Sequence, residues 1–261
     1  MPSLISANPP KDSRPICKAL RLARPGIVAV AGSGGKTALV AALCRELAAD
    51  GQPVALSTTT HIYPPSARLC GPAWLWGEAL PEKAEIKKRL KQGKVLAVAR
   101  GMNPQGKLEG LSQEQMAVLA TSGAWVVVEA DGAARKPLKA WAPHEPAWAG
   151  GEDSRVVLVG ASGLGRPLSP DLVHRHQLFR QAADLELGQN ITPAALARVL
   201  LGPGGPFRER PAGMAFSLVI NQIDAARPAL VDSLARELKS RAGGWLGVLK
   251  GKLRQGRLEP C

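Results

Sequence analysis

Short apolar runs alternate along the chain with stretches of helical periodicity. The first run, GIVAVAG at residues 26–32, carries no polar position and predicts a strand buried on both faces. Behind a glycine turn, Leu39, Val40, Leu43 and Leu47 recur at helical spacing, with Gly51 as a natural stop. PVALSTTT then predicts a second strand with a polar tip. Strand, glycine turn, helix and strand make a βαβ unit, which selects a parallel sheet.

The pattern predicts further strands at 95–99, 125–130, 156–159 and 216–221, and a weaker one at 245–249. Helical stretches fall at 83–92, 112–121, 193–201 and 228–241, and Ser112-x-x-Gln115 has the spacing of a capping box. RGMNPQGKLEG at 100–110 reads as a loop or hairpin from its Gly, Asn and Pro content. Gly160-x-x-Gly163-x-Gly165 is out of order for a dinucleotide fingerprint and reads as a flexible loop. There is no internal repeat and no clear linker. The expected fold is a single α/β domain with a mainly parallel sheet and flanking helices. The expected division is an N-terminal extension at 1–20, the domain at 21–250 and a basic C-terminal tail at 251–261.

The chain has 261 residues, 45% hydrophobic and 21% charged, which suits a globular domain and excludes a largely disordered one. No apolar run is long enough to span a membrane, and the first twenty residues lack the apolar centre of a signal peptide, so a cytoplasmic protein is expected. Cys17, Cys44, Cys70 and Cys261 have neither zinc-ligand nor disulfide-scaffold spacing. A net charge of +13 raises nucleic acid as a partner. Against it, the basic residues are scattered, those at 83–91 follow Glu82 and Glu85 as on a solvated helix face, and aromatics are only 4% of the chain. Neither nucleic acid nor membrane is expected as a partner. The charge suits an anionic ligand or an acidic protein.

The strongest chemical signal is Gly32-Ser33-Gly34-Gly35-Lys36-Thr37, between the first strand and first helix. Glycines without Cβ atoms let backbone N–H groups curl around phosphate oxygens, and the helix N-terminus adds donors and a favourable dipole. Lys36 would reach the terminal phosphates and the Thr37 hydroxyl would sit on Mg²⁺. The longer P-loop pattern wants Gly where this chain has Val30. The shorter G-x-x-G-K-T resembles the P-loop of Mur ligases and folylpolyglutamate synthetases. The motif makes the expected fold P-loop NTPase-like, with ATP or GTP and Mg²⁺ as the bound species.

The run Val126 to Val128 ends in Glu129-Ala130-Asp131, an apolar strand delivering acids near the phosphate loop, as in a Walker B arrangement. At i and i+2 both carboxylates share a face if the strand persists. Glu129 occupies the metal-supporting place, and Asp131 is a candidate second metal group or general base. Thr59, Thr60 and His61 end the second strand, where ligands of open parallel sheets bind, and are candidate substrate contacts. Asn221-Gln222-Ile223-Asp224 resembles the Asn-Lys-x-Asp motif that reads guanine, with Gln222 replacing the Lys, so Asn221 and Asp224 are candidate base contacts. A loop cap explains the same four residues. Arg135, Lys136, His144 and Glu145 could clamp a substrate after the Walker B acid, or be solvated charges. His174 and His176 with Asp171 form no complete metal pattern and read as surface residues.

GSGGKT, STTTH, GKLEGLS, VVVEADGAARKPLKAWAPHEP, HRHQLF, ITPAALARVL and VINQID occur here in an order that resembles YqeC-type proteins, over roughly residues 15–245. EADGAARKPLKA with APHEP is the most specific part. Gln222 departs from the family's tendency to Lys, and LKGKLRQGRLEPC at the C-terminus finds no match in it. The resemblance implies a cytoplasmic nucleotide-binding protein accessory to a selenium-dependent molybdenum hydroxylase, with that enzyme or its cofactor machinery as partner. Three activities fit the residues: an NTPase or phosphoryl transferase, a Mur-like ATP-dependent ligase or small-molecule kinase, and a non-catalytic nucleotide-gated chaperone.

Overall fold

The structure is a computed structural model and describes residues 14–261. In chain order the elements are α1 (Pro15–Ala19), β1 (Ile27–Gly32), α2 (Lys36–Ala49), β2 (Val54–Thr58), β3 (His61–Ile62), β4 (Trp74–Leu75), α3 (Lys83–Arg89), β5 (Val95–Ala99), β6 (Gly101–Met102) and β7 (Leu108–Glu109). There follow α4 (Gln113–Ala120), β8 (Trp125–Glu129), β9 (Leu138–Lys139), β10 (Ser154–Gly160), β11 (Val173–His174), α5 (His176–Ala183), α6 (Pro193–Leu201), β12 (Ala215–Asn221), α7 (Pro228–Ala242), β13 (Leu246–Lys252) and β14 (Arg257–Pro260).

Nine strands form one sheet in the order β14-β13-β12-β10-β1-β8-β2-β5-β4. All neighbours are parallel except β13 and β14, so this is a single α/β domain compatible with a P-loop NTPase-like fold. β1 is the central strand, and all six of its residues are buried because helices cover both faces. Strand alternation divides the core. Val28, Val30, Trp125, Val127, Val156 and Leu158 pack with Leu39, Leu43 and Leu47 of α2. Val157 and Val159 face Leu196, Leu200 and Leu234 of α6 and α7, while Val126 and Val128 face Met116 and Leu119 of α4. The capping box at Ser112 forms in both directions, and Gln115 also ties α4 to the Gly77 and Ala79 carbonyls.

Three expectations change. Residues 15–20 belong to the domain: Ile16, Cys17 and Leu20 are buried in the α2 cluster, and the Ile16 and Cys17 amides donate to Glu46. The rest of the expected extension, 1–13, lies outside the described residues. The basic tail is the edge of the sheet, because Gly256 in the left-handed region turns the chain back and β14 pairs antiparallel with β13. Its buried Leu253 and Leu258 carry the packing while its charges face outward. Residues 160–165 are no loose loop either. They form a 3-10 turn at Ala161–Gly163, and a Cβ on Gly163 would lie 2.4 Å from Leu138. No helix among the described residues is long and apolar enough to cross a membrane.

Candidate functional site

The glycine loop leaves β1 at the carboxyl end of the sheet, where the chain turns toward β2 on one side and later strands build on the other. This is the crevice position of open α/β folds. Gly34 and Gly35 both have positive φ, and neither position tolerates a side chain. A Cβ on Gly34 would lie 2.4 Å from the Gly160 backbone, and one on Gly35 would lie 2.3 Å from Asn221 Nδ2. The Ser33 hydroxyl donates to the Pro137 carbonyl at 2.8 Å, and Asn221 Nδ2 donates to the Gly34 carbonyl at 2.8 Å. The loop is thus stapled from both sides. Thr37 is exposed in the first turn of α2.

Lys36 turns back over the loop. Its Nζ donates to the Gly32 carbonyl at 2.7 Å and lies 3.2 Å from Asp131 and 3.8 Å from Glu129. β8 is the neighbour of β1 in the sheet, with Val30 opposite Glu129, so pairing delivers Glu129 beside the loop and Asp131 two residues further. Both acids reach Lys36 as i and i+2 positions should. Their environments differ. Asp131 is fully buried: both carboxylate oxygens accept from the Gly32 amide (3.0 and 2.9 Å), and Oδ2 also accepts from Lys139 Nζ (2.9 Å) and Trp141 Nε1 (2.8 Å). With those donors and Lys36 its lone pairs are filled. The Glu129 carboxylate has Lys36 as its one ion-pair partner among the described residues and retains some exposure; burial pushes its carboxyl above the usual range, Lys36 pulls it down and Asp131 adds to the rise.

The charges continue inward. Lys139, fully buried, reaches Asp131, the Gly132 carbonyl (2.7 Å) and Glu145 (3.3 Å), and Glu145 takes a two-pronged bond from Arg175 at 2.9 and 2.8 Å. Burial disfavours the Glu145 anion, but the Arg175 bonds and Lys139 outweigh it and hold the carboxyl at about 2. Glu129, Lys36, Asp131, Lys139, Glu145 and Arg175 therefore form a chain of strictly alternating charge. Glu145, a candidate substrate contact by sequence, is a buried link in this chain. Lys139 closes the run Arg135 to Lys139 that the sequence marks as a candidate clamp, whereas no pattern marks Trp141 or Arg175 as a site residue. A lone lysine in the apolar run Leu138 to Ala142 is the one signal that pointed to a buried partner.

Other candidates are dispersed. The Thr58 hydroxyl donates to the Glu129 carbonyl at 2.8 Å, the Thr59 hydroxyl to the Ala147 carbonyl, and the Thr60 hydroxyl contacts that of Thr58, so these groups build the turn. His61 and His144 are exposed. Arg135 is exposed in the left-handed region beside Ala134, which shares that conformation, and Lys136 donates to the Pro170 carbonyl. Asn221 is buried and also accepts from the Leu253 amide at 3.0 Å, joining the glycine loop to the end of β13. Gln222 accepts from the Ser162 hydroxyl at 2.6 Å, and Asp224 is exposed in a 3-10 turn. His174 and His176 are half-buried, not on the surface: His174 pairs with Lys139 between β11 and β9, and burial with Lys139 and Arg175 nearby lowers its pKa. Among the described residues no group of three or more His, Cys, Asp or Glu is arranged to hold a metal ion.

The family model YqeC protein matches residues 28–177, more than half of the chain and the whole span from β1 through the charge chain to Arg175. The chain is also similar to a curated protein of Escherichia coli (strain K12) named "Uncharacterized protein YqeC", with 28% identity over 218 residues covering 80% of this chain and 81% of that one. The glycine loop, the acids after β8 and their buried counter-ions all fall within the matched span, and on this match the chain belongs to the YqeC family.

Proposed function

We propose that this protein binds a nucleoside triphosphate at residues 32–37 and hydrolyses it, or transfers its terminal phosphoryl group, in the cytoplasmic maturation of a selenium-dependent molybdenum hydroxylase or its cofactor. The observation that carries the nucleotide reading is the position of Lys36 Nζ, between the Gly32 carbonyl, Asp131 and Glu129 at the mouth of a glycine loop. The maturation role rests on the family resemblance alone.

Phosphoryl transfer asks little covalent work of a protein; it asks for positioning and charge. The amides of Gly34, Gly35 and the first turn of α2 supply donors to phosphate oxygens. Lys36 exchanges its loop carbonyl for a phosphate oxygen, and Asp131, locked by the Gly32 amide, Lys139 and Trp141, holds the loop and the lysine stem in place. Asp131 acts as a positioning residue. Glu129, with a raised pKa, is the carboxylate placed to orient an attacking water or hydroxyl and to hold its proton. The Thr37 hydroxyl and the Glu129 carboxylate are oxygen donors that fit a hard divalent cation such as Mg²⁺. When bound, that ion would neutralise phosphate charge.

Titration of purified protein with ATP and GTP, with and without Mg²⁺, tests binding, and product analysis separates the activities. Free phosphate indicates hydrolysis, phosphate on an acceptor indicates a kinase or Mur-like ligase, and binding without turnover indicates a nucleotide-gated chaperone. Absence of Mg²⁺-dependent binding of either nucleotide removes the P-loop reading.

A further inference from the structure

Tyr63 is 61% exposed at the carboxyl end of the sheet, with two cations drawn over its ring. Lys107 Nζ lies 5.1 Å from the ring centroid and the Arg135 guanidinium 5.9 Å from it. Three chain segments converge to make the cluster. β3 pairs antiparallel with β7, His61 opposite Glu109 and Ile62 opposite Leu108, and Tyr63 and Lys107 are the next residues beyond this pairing. The turn carrying Lys107 is braced by Asn103, whose side chain accepts from the Gln105 and Lys107 amides. Glu109, on the same face, is balanced by Arg100 at 3.8 Å. Among the described residues Lys107 and Arg135 have no such acidic partner within 4.0 Å.

The cluster adjoins the glycine loop. Arg135 is two residues before Pro137, whose carbonyl takes the Ser33 hydroxyl, so its backbone lies within about 7 Å of Pro137. A Cβ on Gly110 would lie 2.5 Å from Thr59, which seats the hairpin firmly on the turn beside Glu129. Arg135 and Ala134 both occupy the left-handed region at φ 60 and 46, a conformation that bulky side chains adopt at a cost.

We infer that Tyr63, Lys107 and Arg135 form a second ligand subsite beside the nucleotide loop, for a small molecule with a planar ring and an anionic group. A planar ring would replace the cations over the tyrosine face, and the two displaced cations would take the anion. The inference deepens the P-loop reading and rests on it for the identity of the neighbouring ligand, while the binding itself is measured separately.

The test uses the full-length protein and flavin mononucleotide, a fluorescent planar ring with a phosphate, with Mg²⁺-ATP or Mg²⁺-GTP present at saturation to occupy the glycine loop. Riboflavin (ring without phosphate) and inorganic phosphate are the comparison ligands. Saturable flavin mononucleotide binding is expected, stronger than either comparison ligand and weakened about tenfold by Tyr63→Ala and by the Lys107→Ala/Arg135→Ala pair. All three side chains are peripheral to the core, and circular dichroism checks that the variants fold. Absence of saturable binding, equal affinity for riboflavin, or indifference to both variants overturns the subsite. Binding abolished by Lys36→Ala but unchanged in Tyr63→Ala also overturns it, since the probe then sits in the glycine loop. If neither nucleotide binds while variant-sensitive probe binding persists, the subsite stands and the P-loop reading falls.

Discussion

Lys139 Nζ lies 2.9 Å from Asp131 Oδ2, with both side chains fully buried. Asp131 in turn holds the Gly32 amide across 99 residues of chain, so the geometry of the glycine loop depends on a lysine far from it in sequence. Removing one member of a buried pair leaves the other charge uncompensated. Lys139→Met is expected to destabilise the fold by about 3–5 kcal/mol. The Asp131→Asn/Lys139→Met double variant should lose less than the sum of the singles. Urea unfolding of the four proteins measures the coupling, and a Lys139→Met cost below about 1 kcal/mol would contradict the assigned pairing.

Lys36→Ala is expected to weaken nucleotide binding about ten- to a hundredfold, the worth of a charge-assisted hydrogen bond to phosphate. The fold should persist, because Asp131 keeps the Gly32 amide, Lys139 and Trp141. Calorimetric titration with ATP and GTP reads the change. Unchanged affinity for both nucleotides ends the assignment of Lys36.

Glu129 and Asp131 should separate by phenotype. Glu129→Gln keeps shape and removes the partly buried carboxylate, so turnover should fall more than nucleotide affinity does. It should also raise stability slightly at neutral pH. A carboxyl whose folded pKa lies above its unfolded value binds more protons folded than unfolded, so its ionisation weakens the fold as pH rises through that window. Asp131→Asn should instead lower stability and loosen nucleotide binding. Turnover and denaturation curves on both variants decide it, and a stability loss in Glu129→Gln larger than in Asp131→Asn would reverse the roles.

Glu145 gives an acid limb. Its carboxyl sits at about 2 against an ordinary 4.5, because the Arg175 bonds and Lys139 outweigh burial. The unfolded chain therefore binds more protons between those values. The stabilisation is complete above pH 4.5 and lost as pH falls toward 2, amounting to roughly 3 kcal/mol. Glu145→Gln should flatten that part of the pH–stability curve, and an unaltered acid limb counts against the Arg175–Glu145 link.

Base choice tests Asp224 apart from Asn221. If exposed Asp224 accepts from the two N–H groups of guanine, GTP should outcompete ATP, and Asp224→Asn should erase most of the preference. Asn221 holds the Gly34 carbonyl and the Leu253 amide, so Asn221→Ala should weaken both nucleotides alike by disturbing the loop. Equal competition by ATP and GTP in the wild type reduces the motif to a loop cap.

Sequence alone determined what is local. The unbroken apolar run of β1, the glycines after it and the spacing of Leu39, Leu43 and Leu47 are read by a chain segment on its own, because strand and helix periodicity and backbone freedom are short-range properties. The capping box at Ser112 and the acids closing β8 were legible for the same reason. What separates Asp131 from Glu129 is not local: the two differ through Gly32, Lys139 and Trp141, brought together only when β8 pairs with β1 and the β9 segment folds over the loop. Lys139 and Arg175 look like ordinary surface cations in a chain of +13; tertiary packing buries Lys139 against Asp131 and sets Arg175 against the largely buried Glu145, making them counter-ions. The C-terminal strand likewise needed β13 as a partner, since four residues make no sheet by themselves. Periodicity names the elements; desolvation of charge at their contacts, a property of the packed whole, decides which polar residues hold the site and which remain open to a ligand.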